Sequence, residues 1–320
     1  MTKKGYCYTK CCTKNRQNKL LKKIAARWQI YLLLLLPLAY LIIFYYVPMG
    51  GLIIAFKRYN IRDGIWGSPW VGMDNFIRFF KSIYFTKTIK NTLTVSFYSL
   101  IVSFPFPIIF ALLLNAMRGN RYKKVIQTVT YIPHFISTVV MVGLVFQILN
   151  NRTGLYGSLY TLFTGETAPN LMANGRAFYH IYVWSGIWQS TGYNAIIYIA
   201  ALSNVDPSLH EAAKIDGANR FQRLKHIDIP TILPTTSIML VLAIGRLMSV
   251  GHTKVLLMQN NVNLNYSEVI STYVYKVGLA SGVTDFSLST AIGMFNSVIN
   301  FILLIVANKA SKKLSGSGIF

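Results

Sequence analysis

Hydrophobic residues run along this chain in long unbroken blocks, not in alternation. Positions 29–56, 91–117, 125–151, 177–205 and 286–308 hold no Asp, Glu, Lys or Arg. Each exceeds the roughly 20 helical residues that cross a bilayer. A sixth block, 229–245, is shorter; Arg246 follows it before apolar chain resumes to Val250. In hydrocarbon every backbone N–H and C=O must be satisfied within the protein, so a span is a helix or part of a closed barrel. Barrel strands alternate over about ten residues, and a run such as YLLLLLPLAYLIIF does not. The pattern predicts an all-α membrane protein with six transmembrane helices. It divides the chain into a basic tail (1–28), a first transmembrane helix (29–56), an external loop (57–88), a five-helix core (89–308) and a second tail (309–320).

Composition supports this reading. The 320 residues are 53% hydrophobic and 13% charged, against about 25% charged in soluble domains. The net charge of +23 would suit nucleic acid or a membrane, and its placement favours the membrane. Nine of the 32 basic residues precede Trp28 with no acid among them. Four more (Arg118, Arg121, Lys123, Lys124) lie between helices two and three, and Lys309, Lys312 and Lys313 follow helix six. Basic loops stay cytoplasmic, which puts both termini inside. The segment 57–90 is an exception, with seven basic residues on the expected outer face. Its aromatic stretch WVGMDNFIRFF (70–80) can lie along the interface. The apolar run after Trp28 is too long for a cleaved signal peptide. Cys7, Cys11 and Cys12 all fall in the basic tail, with no nearby histidine and no metal-site spacing. No metal site is expected.

One polar segment stands apart. Between two apolar blocks, 211–234 reads EAAKIDGANRFQRLKHIDIPTILP. Asp206-Pro207 is a helix start, with an N-cap acid and a proline at the first helical position. Residues 208–216 form the helix, and Gly217 suits a left-handed C-terminal cap. Ala212 and Ala213 keep the helix thin enough for another surface to approach. Arg220, Arg223 and Lys225 belong to a second short helical stretch. Pro230 and Pro234 are expected to break the chain on re-entry. A bare connection would be shorter, so the segment reads as a docking surface.

The spacing of Glu211-Ala212-Ala213, Asp216-Gly217-Ala218, Ile227, Ile229-Pro230 and Pro234 resembles the EAA loop of binding-protein-dependent ABC importer permeases. The wider chain resembles maltose-transporter-type sugar permeases, and above all the LplB-like complex-carbohydrate branch. Further stretches carry the likeness: NTLTVSF (91–97), YIPHFIS (131–137), WQSTGYNAIIYIAAL (188–202), VISTYVYKVGL (269–279) and STAIGMFNSVINFILLIVAN (289–308). The resemblance implies the type I ABC importer (MetI-like) transmembrane fold, with an EAA loop at 206–234 that couples to a separate ATPase. It implies an oligosaccharide cargo, a second and different permease subunit, two cytoplasmic ATPases and an extracellular or lipid-anchored sugar-binding protein, in a bacterial inner membrane. ATP and Mg would act on the partner ATPase; this chain has no phosphate loop G-x-x-x-x-G-K-[ST] and is expected to bind no cofactor, to be no enzyme and to bind no nucleic acid. The ATPase-coupling residues implied are Glu211, Ala212, Ala213, Asp216, Gly217, Ala218 and Pro230. The chain departs from its likeness at His252-Thr253, where similar proteins often carry an aromatic and an acidic residue before Lys254.

Sugars present hydroxyls and apolar C–H faces, so their sites use aromatic platforms with amides and hydroxyls. Trp188, Gln189, Tyr193 and Asn194 on helix four, Asn296 on helix six and the intramembrane Arg246 are the candidates for the substrate pathway. Against each stands a structural alternative: aromatic belts at the interface, Asn as helix glue, and a packing or snorkelling arginine. The rival functions are an ABC permease for a non-sugar solute and an ion-coupled secondary transporter. Ion coupling commonly uses intramembrane carboxylates, and all nine acids lie outside the apolar blocks.

Overall fold

Helices account for every apolar block. The computed structural model describes residues 26–315, apart from Arg118, Ser281 and Val283, with side chains through Lys313. The basic N-terminal tail with its three cysteines therefore lies outside the described residues. Among the described residues the chain is helical, and the sole β feature is an isolated bridge between Lys57 and Trp70.

Helix α1 runs Trp28–Phe56. None of Trp28–Leu41 is buried within the chain, so that part faces lipid or another subunit. Next comes α2, Asp74–Lys81, where the sequence implied an external loop. It is strongly amphipathic. Phe76 and Phe79 are buried, while Ile77 and Phe80 stay exposed. Asn75 Nδ2 donates to the Ala55 carbonyl at 2.9 Å and the Lys57 carbonyl at 3.0 Å, tying α2 to the end of α1. The rod Ile83–Ala116 contains α3 (Ile83–Ser103) and α4 (Pro105–Ala116).

The 125–151 block is not one straight span. Helix α5 (Asn120–Tyr131) ends in a 3-10 turn, Ile132–Phe135, and α6 (Thr138–Ile148) starts afresh. The two arms, Asn120–Phe135 and Thr138–Ile148, meet at 104°. Pro133 disfavours helical backbone in the residue before it. Ser137 then caps α6, accepting from the Val140 N–H at 3.3 Å. Helices α7 (Leu155–Thr164), α8 (Ala177–Leu202) and α9 (Pro207–Ile215) follow. Next is α10, Ile229–Gly245, then α11 (His252–Met258), α12 (Ile270–Tyr275) and α13 (Phe286–Ser315). The last helix thus runs on through most of the expected C-terminal tail.

Helix α8 is the hub. It packs on α3, α4, α5 and α10, and α13 packs on α10, α12 and α2. Lipid is as apolar as leucine, so the hydrophobic effect does not press these helices together. Close packing and polar contacts must. Small residues meet that need: Ala111 and Ala195 are fully buried where α4 meets α8. Polar clamps add to it. Asn91 Nδ2 donates to the carbonyls of Asn265 and Glu268, at 2.9 and 3.0 Å, and Asn91 Oδ1 accepts from the Tyr179 hydroxyl at 3.0 Å.

Gly192 marks a close approach of α5 and α8. A Cβ there would run into the Thr130 carbonyl of α5, a backbone atom that cannot rotate aside. Gly192→Ala is therefore expected to force α5 and α8 apart and lower the melting temperature of the purified complex by several degrees; an unchanged melting curve would contradict that packing.

Part of the basic charge in 57–90 also has a local explanation. Lys57 Nζ donates to the Ile65 and Trp66 carbonyls at 2.8 and 3.3 Å. Arg78 pairs with Asp285 at 3.0 Å. Lys87 pairs with the buried Glu268 at 3.0 Å, and Lys276 approaches the same carboxylate at 3.6 Å. Three of the seven basic residues of 57–90, Lys57, Arg78 and Lys87, thus have polar partners within the chain.

Candidate functional site

The polar segment folds as its punctuation implies. Asp206 has extended backbone and accepts from the Ser208 N–H at 2.9 Å. That hydrogen bond, with a second from the Ser208 side chain, holds the Asp206 carboxyl below its usual pKa. A depressed carboxyl stabilises the fold above its unfolded value and loses that contribution as pH falls through the folded one, so the cap is intact at neutral pH and lost only in acid. At the other end Gly217 has φ +80°. The Gly217 N–H donates to the Lys214 carbonyl at 3.1 Å and the Ala218 N–H to the Ala213 carbonyl at 2.8 Å. This pair of bonds is a Schellman cap. A β-branched residue resists positive φ, so Gly217→Val is expected to unwind this end of α9 and reduce transport at least several-fold with the complex still assembled. Normal uptake by that variant would argue against the cap.

Asn219 opens the next turn with a capping box. Its side chain accepts from the Gln222 N–H at 2.8 Å, and the Gln222 side chain accepts from the Asn219 N–H at 2.7 Å. The chain does not break at Pro230 and Pro234. Arg220–Gly245 is one continuous helix. A π-turn, Leu224–Asp228, leads straight into α10, whose second residue is Pro230. Pro234 sits inside α10.

The outer face of this segment is exposed and partly apolar. Glu211, Ala212, Asp216 and Gly217 are exposed. So are Leu209 at 54%, Phe221 at 71% and Ile215 at 88%. Large apolar side chains held in the open on a capped helix mark a surface that another protein covers. The sequence reading passed over these three, although an apolar residue amid KIDG and NRFQ was a visible signal.

The inner face is clamped. Asp228, at the foot of α10, is buried. Its Oδ1 lies 3.3 Å from His210 Nε2 on α9 and accepts from Asn115 Nδ2 at the end of α4, also at 3.3 Å. One carboxylate thus joins α9 to α4 and α10. Neither His210 nor Asp228 was singled out in the sequence.

A cavity of about 420 Å³ lies between α3, α8 and α10. Among the pathway candidates, Asn194 and Arg246 line it. Its other polar groups are Ser96, Ser99, Ser103, Ser249, Tyr182 and Tyr198. Three serines at i, i+3 and i+7 on α3 were legible as a helical stripe and were missed. The remaining candidates lie elsewhere. Gln189 Nε2 donates to the Ile136 carbonyl at 3.1 Å. Tyr193 stacks on His134 with ring centroids 3.7 Å apart and planes 3° from parallel. Both brace the α5–α6 bend. Trp188 is half exposed. Asn296 Oδ1 is buried with no hydrogen-bond partner among the described residues.

With that geometry in view, residues 103–316 match the family described as binding-protein-dependent transport system inner membrane component. Over 307 residues the chain is 41% identical to the polygalacturonan/rhamnogalacturonan transport system permease protein YteP of Bacillus subtilis (strain 168), covering 96% of this chain and 95% of that one. It is 40% identical over 294 residues to Protein LplB of the same organism, covering 92% and 91%. A solved bacterial alginate ABC transporter, in complex with an alginate pentasaccharide-bound periplasmic protein, contains a similar chain. That chain has a TM-score of 0.85 and 35% identity; the match covers 94% of this chain and 100% of that one.

Proposed function

The chain belongs to the family of binding-protein-dependent transport inner membrane components, and from that premise we propose that it is one permease half of an ATP-driven oligosaccharide importer. It is a membrane transport subunit and not an enzyme. The observation that carries the mechanism is α9: a helix capped at both ends, exposed on one face and clamped to α4 and α10 on the other. Such an element transmits a push without bending. An ATPase seated on Leu209, Glu211, Ile215 and Phe221 would move α9, and the Asp228 clamp would carry that movement to α10 and α4, which flank the cavity.

Six spans fit this role. Five are Trp28–Phe56, Ile83–Ala116, the bent pair Asn120–Phe135 with Thr138–Ile148, Arg220–Gly245 and Phe286–Lys313. The sixth is α8, whose 26 residues exceed the length of a span. It packs on α3, α4, α5 and α10. With six spans α9 and both termini are cytoplasmic, and the domain division read from the sequence, with its EAA loop at 206–234, stands on the same footing. Glu211, Ala212, Ala213, Asp216, Gly217, Ala218 and Pro230 form or shape the ATPase contact. Asn194 and Arg246 face cargo. ATP and Mg act in the partner ATPases, and a second permease and a sugar-binding protein complete the importer.

The relatives' cargoes, polygalacturonan/rhamnogalacturonan and alginate by name, support an oligosaccharide here. The complex reconstituted with its ATPase, second permease and binding protein should hydrolyse ATP severalfold faster when the binding protein carries an oligosaccharide. Hydrolysis indifferent to the loaded binding protein would contradict the proposal.

A further inference from the structure

Helix α2 has three faces, and the chain covers one of them. Asn75, Phe76 and Phe79 turn inward and are buried. Asp74, Arg78 and Lys81, spaced i, i+4 and i+7, share a polar face. Met73, just before the helix, falls on a third face with Ile77 and Phe80. That face is apolar and exposed. Trp70 ahead of it and Ile83 behind it are exposed as well. Single apolar residues on a surface need no explanation; a stripe of them along one helix face marks something that covers it.

The place of α2 in the fold says what the cover is. Trp70 stacks on Phe56, the last residue of α1, with ring centroids 5.7 Å apart and planes 10° from parallel. One residue, Ser82, separates the end of α2 from Ile83, the first residue of α3. The helix is therefore strung between the ends of two membrane spans, Trp28–Phe56 and Ile83–Ala116. Span ends lie at the bilayer interface, where tryptophan concentrates. A helix with an apolar stripe and cations beside it lies flat in that interface.

The charge beside the stripe is positive and unmatched. Of the seven basic residues in 57–90, Arg58, Arg62, Lys81 and Lys90 are exposed, and their side chains make no hydrogen bond or ion pair among the described residues. Arg58 sits at the Trp70 end, where its N–H donates to the Pro69 carbonyl at 2.9 Å. Lys81 closes the other end of α2. Asp63, one of the two acids in the segment, accepts from Asn60 Nδ2 at 3.1 Å instead.

We infer that this face of α2 is seated in a bilayer surface, and that Arg58, Arg62 and Lys81 hold anionic phospholipid headgroups against it. The apolar stripe sets the depth of the helix, and the cations choose the headgroup. The guanidinium fork of Arg58 and Arg62 matches two phosphate oxygens; Lys81 adds a point charge. The inference goes beyond the import reading and holds whatever the cargo.

The test uses the whole transporter, with its second permease and ATPases, in nanodiscs. Cys7, Cys11 and Cys12 are replaced, and Ile77→Cys carries a bimane fluorophore; Met73→Cys supplies a second reporter. The nanodiscs are phosphatidylcholine with an equal minor fraction of brominated phosphatidylglycerol or brominated phosphatidylcholine, the bromines at the same acyl position in both. Both lipids should quench the fluorophore, and the anionic one by roughly twofold more, because cations at a membrane surface gather anionic lipid. The triple variant Arg58→Gln, Arg62→Gln, Lys81→Gln should erase the excess and keep the quenching common to both lipids. Lys81→Gln alone should remove part of the excess. Quenching by neither lipid at both positions would put water or another protein over the stripe and overturn the inference. Equal quenching by the two lipids in the unmutated cationic background would overturn it too, as would an excess that survives the triple variant.

Discussion

Glu211→Ala should leave the complex assembled and its basal ATP hydrolysis measurable, while cargo-stimulated hydrolysis and uptake fall by roughly tenfold or more. Glu211 is exposed on α9 and makes no ion pair among the described residues. Its neighbours on the same surface are apolar and equally open. A carboxylate in such a setting is free to meet a cation on a docking partner, and a charge-assisted hydrogen bond at an interface contributes about 1.5–3 kcal/mol. Truncation also leaves the partner's cation buried and unpaired, which adds to the loss. Ala212 and Ala213 still allow close approach, so assembly should persist. Side-by-side assays of copurification, uptake and stimulated hydrolysis check this. Wild-type stimulation in the variant would remove Glu211 from the coupling contact.

Asp228→Ala should act from the other side of the same helix. The carboxylate is buried and holds both His210 and Asn115. Removing it leaves two partly buried polar groups without this partner, at up to about 1–3 kcal/mol each. The melting temperature should drop by several degrees, and cargo-stimulated hydrolysis should fall further than stability alone explains, because α9 loses its link to α4 and α10. Asp228→Asn keeps an acceptor for Asn115 and should lose less on both counts. Comparing uptake per ATP hydrolysed in the two variants separates the effects. If Asp228→Ala unfolds more readily yet couples normally once folded, the clamp is structural and transmits nothing.

What the sequence made legible was local. The N-cap at Asp206, the left-handed Gly217 and the turn carrying Arg220 and Arg223 each depend on residues within a few positions, and each stands in the structure as the spacing implied. Apolar length alone located the helices that enclose the cavity. Pro133 announced a disturbance, but not a bend of 104°, because proline restricts one dihedral and the direction of the next helix depends on what it packs against. The π-turn before Pro230 was hidden for a related reason: proline removes a donor, and the chain can widen a turn as readily as end a helix. The Asp228 clamp was invisible because its parts lie far apart in sequence, with Asn115 separated from Asp228 by 113 positions. Helix four showed aromatic and amide residues in plenty. Nothing in their spacing said that Gln189 and Tyr193 face the α5–α6 bend while Asn194 faces the cavity.

The most direct measurement is the sidedness of α9. With Cys7, Cys11 and Cys12 replaced, Ala212→Cys supplies one exposed thiol on its open face. A membrane-impermeant maleimide applied to right-side-out and inverted vesicles reads which face it occupies, with and without the ATPase subunits bound. The account predicts labelling in inverted vesicles alone, and protection when the ATPase is present. Labelling from outside, or labelling indifferent to the ATPase, would contradict it.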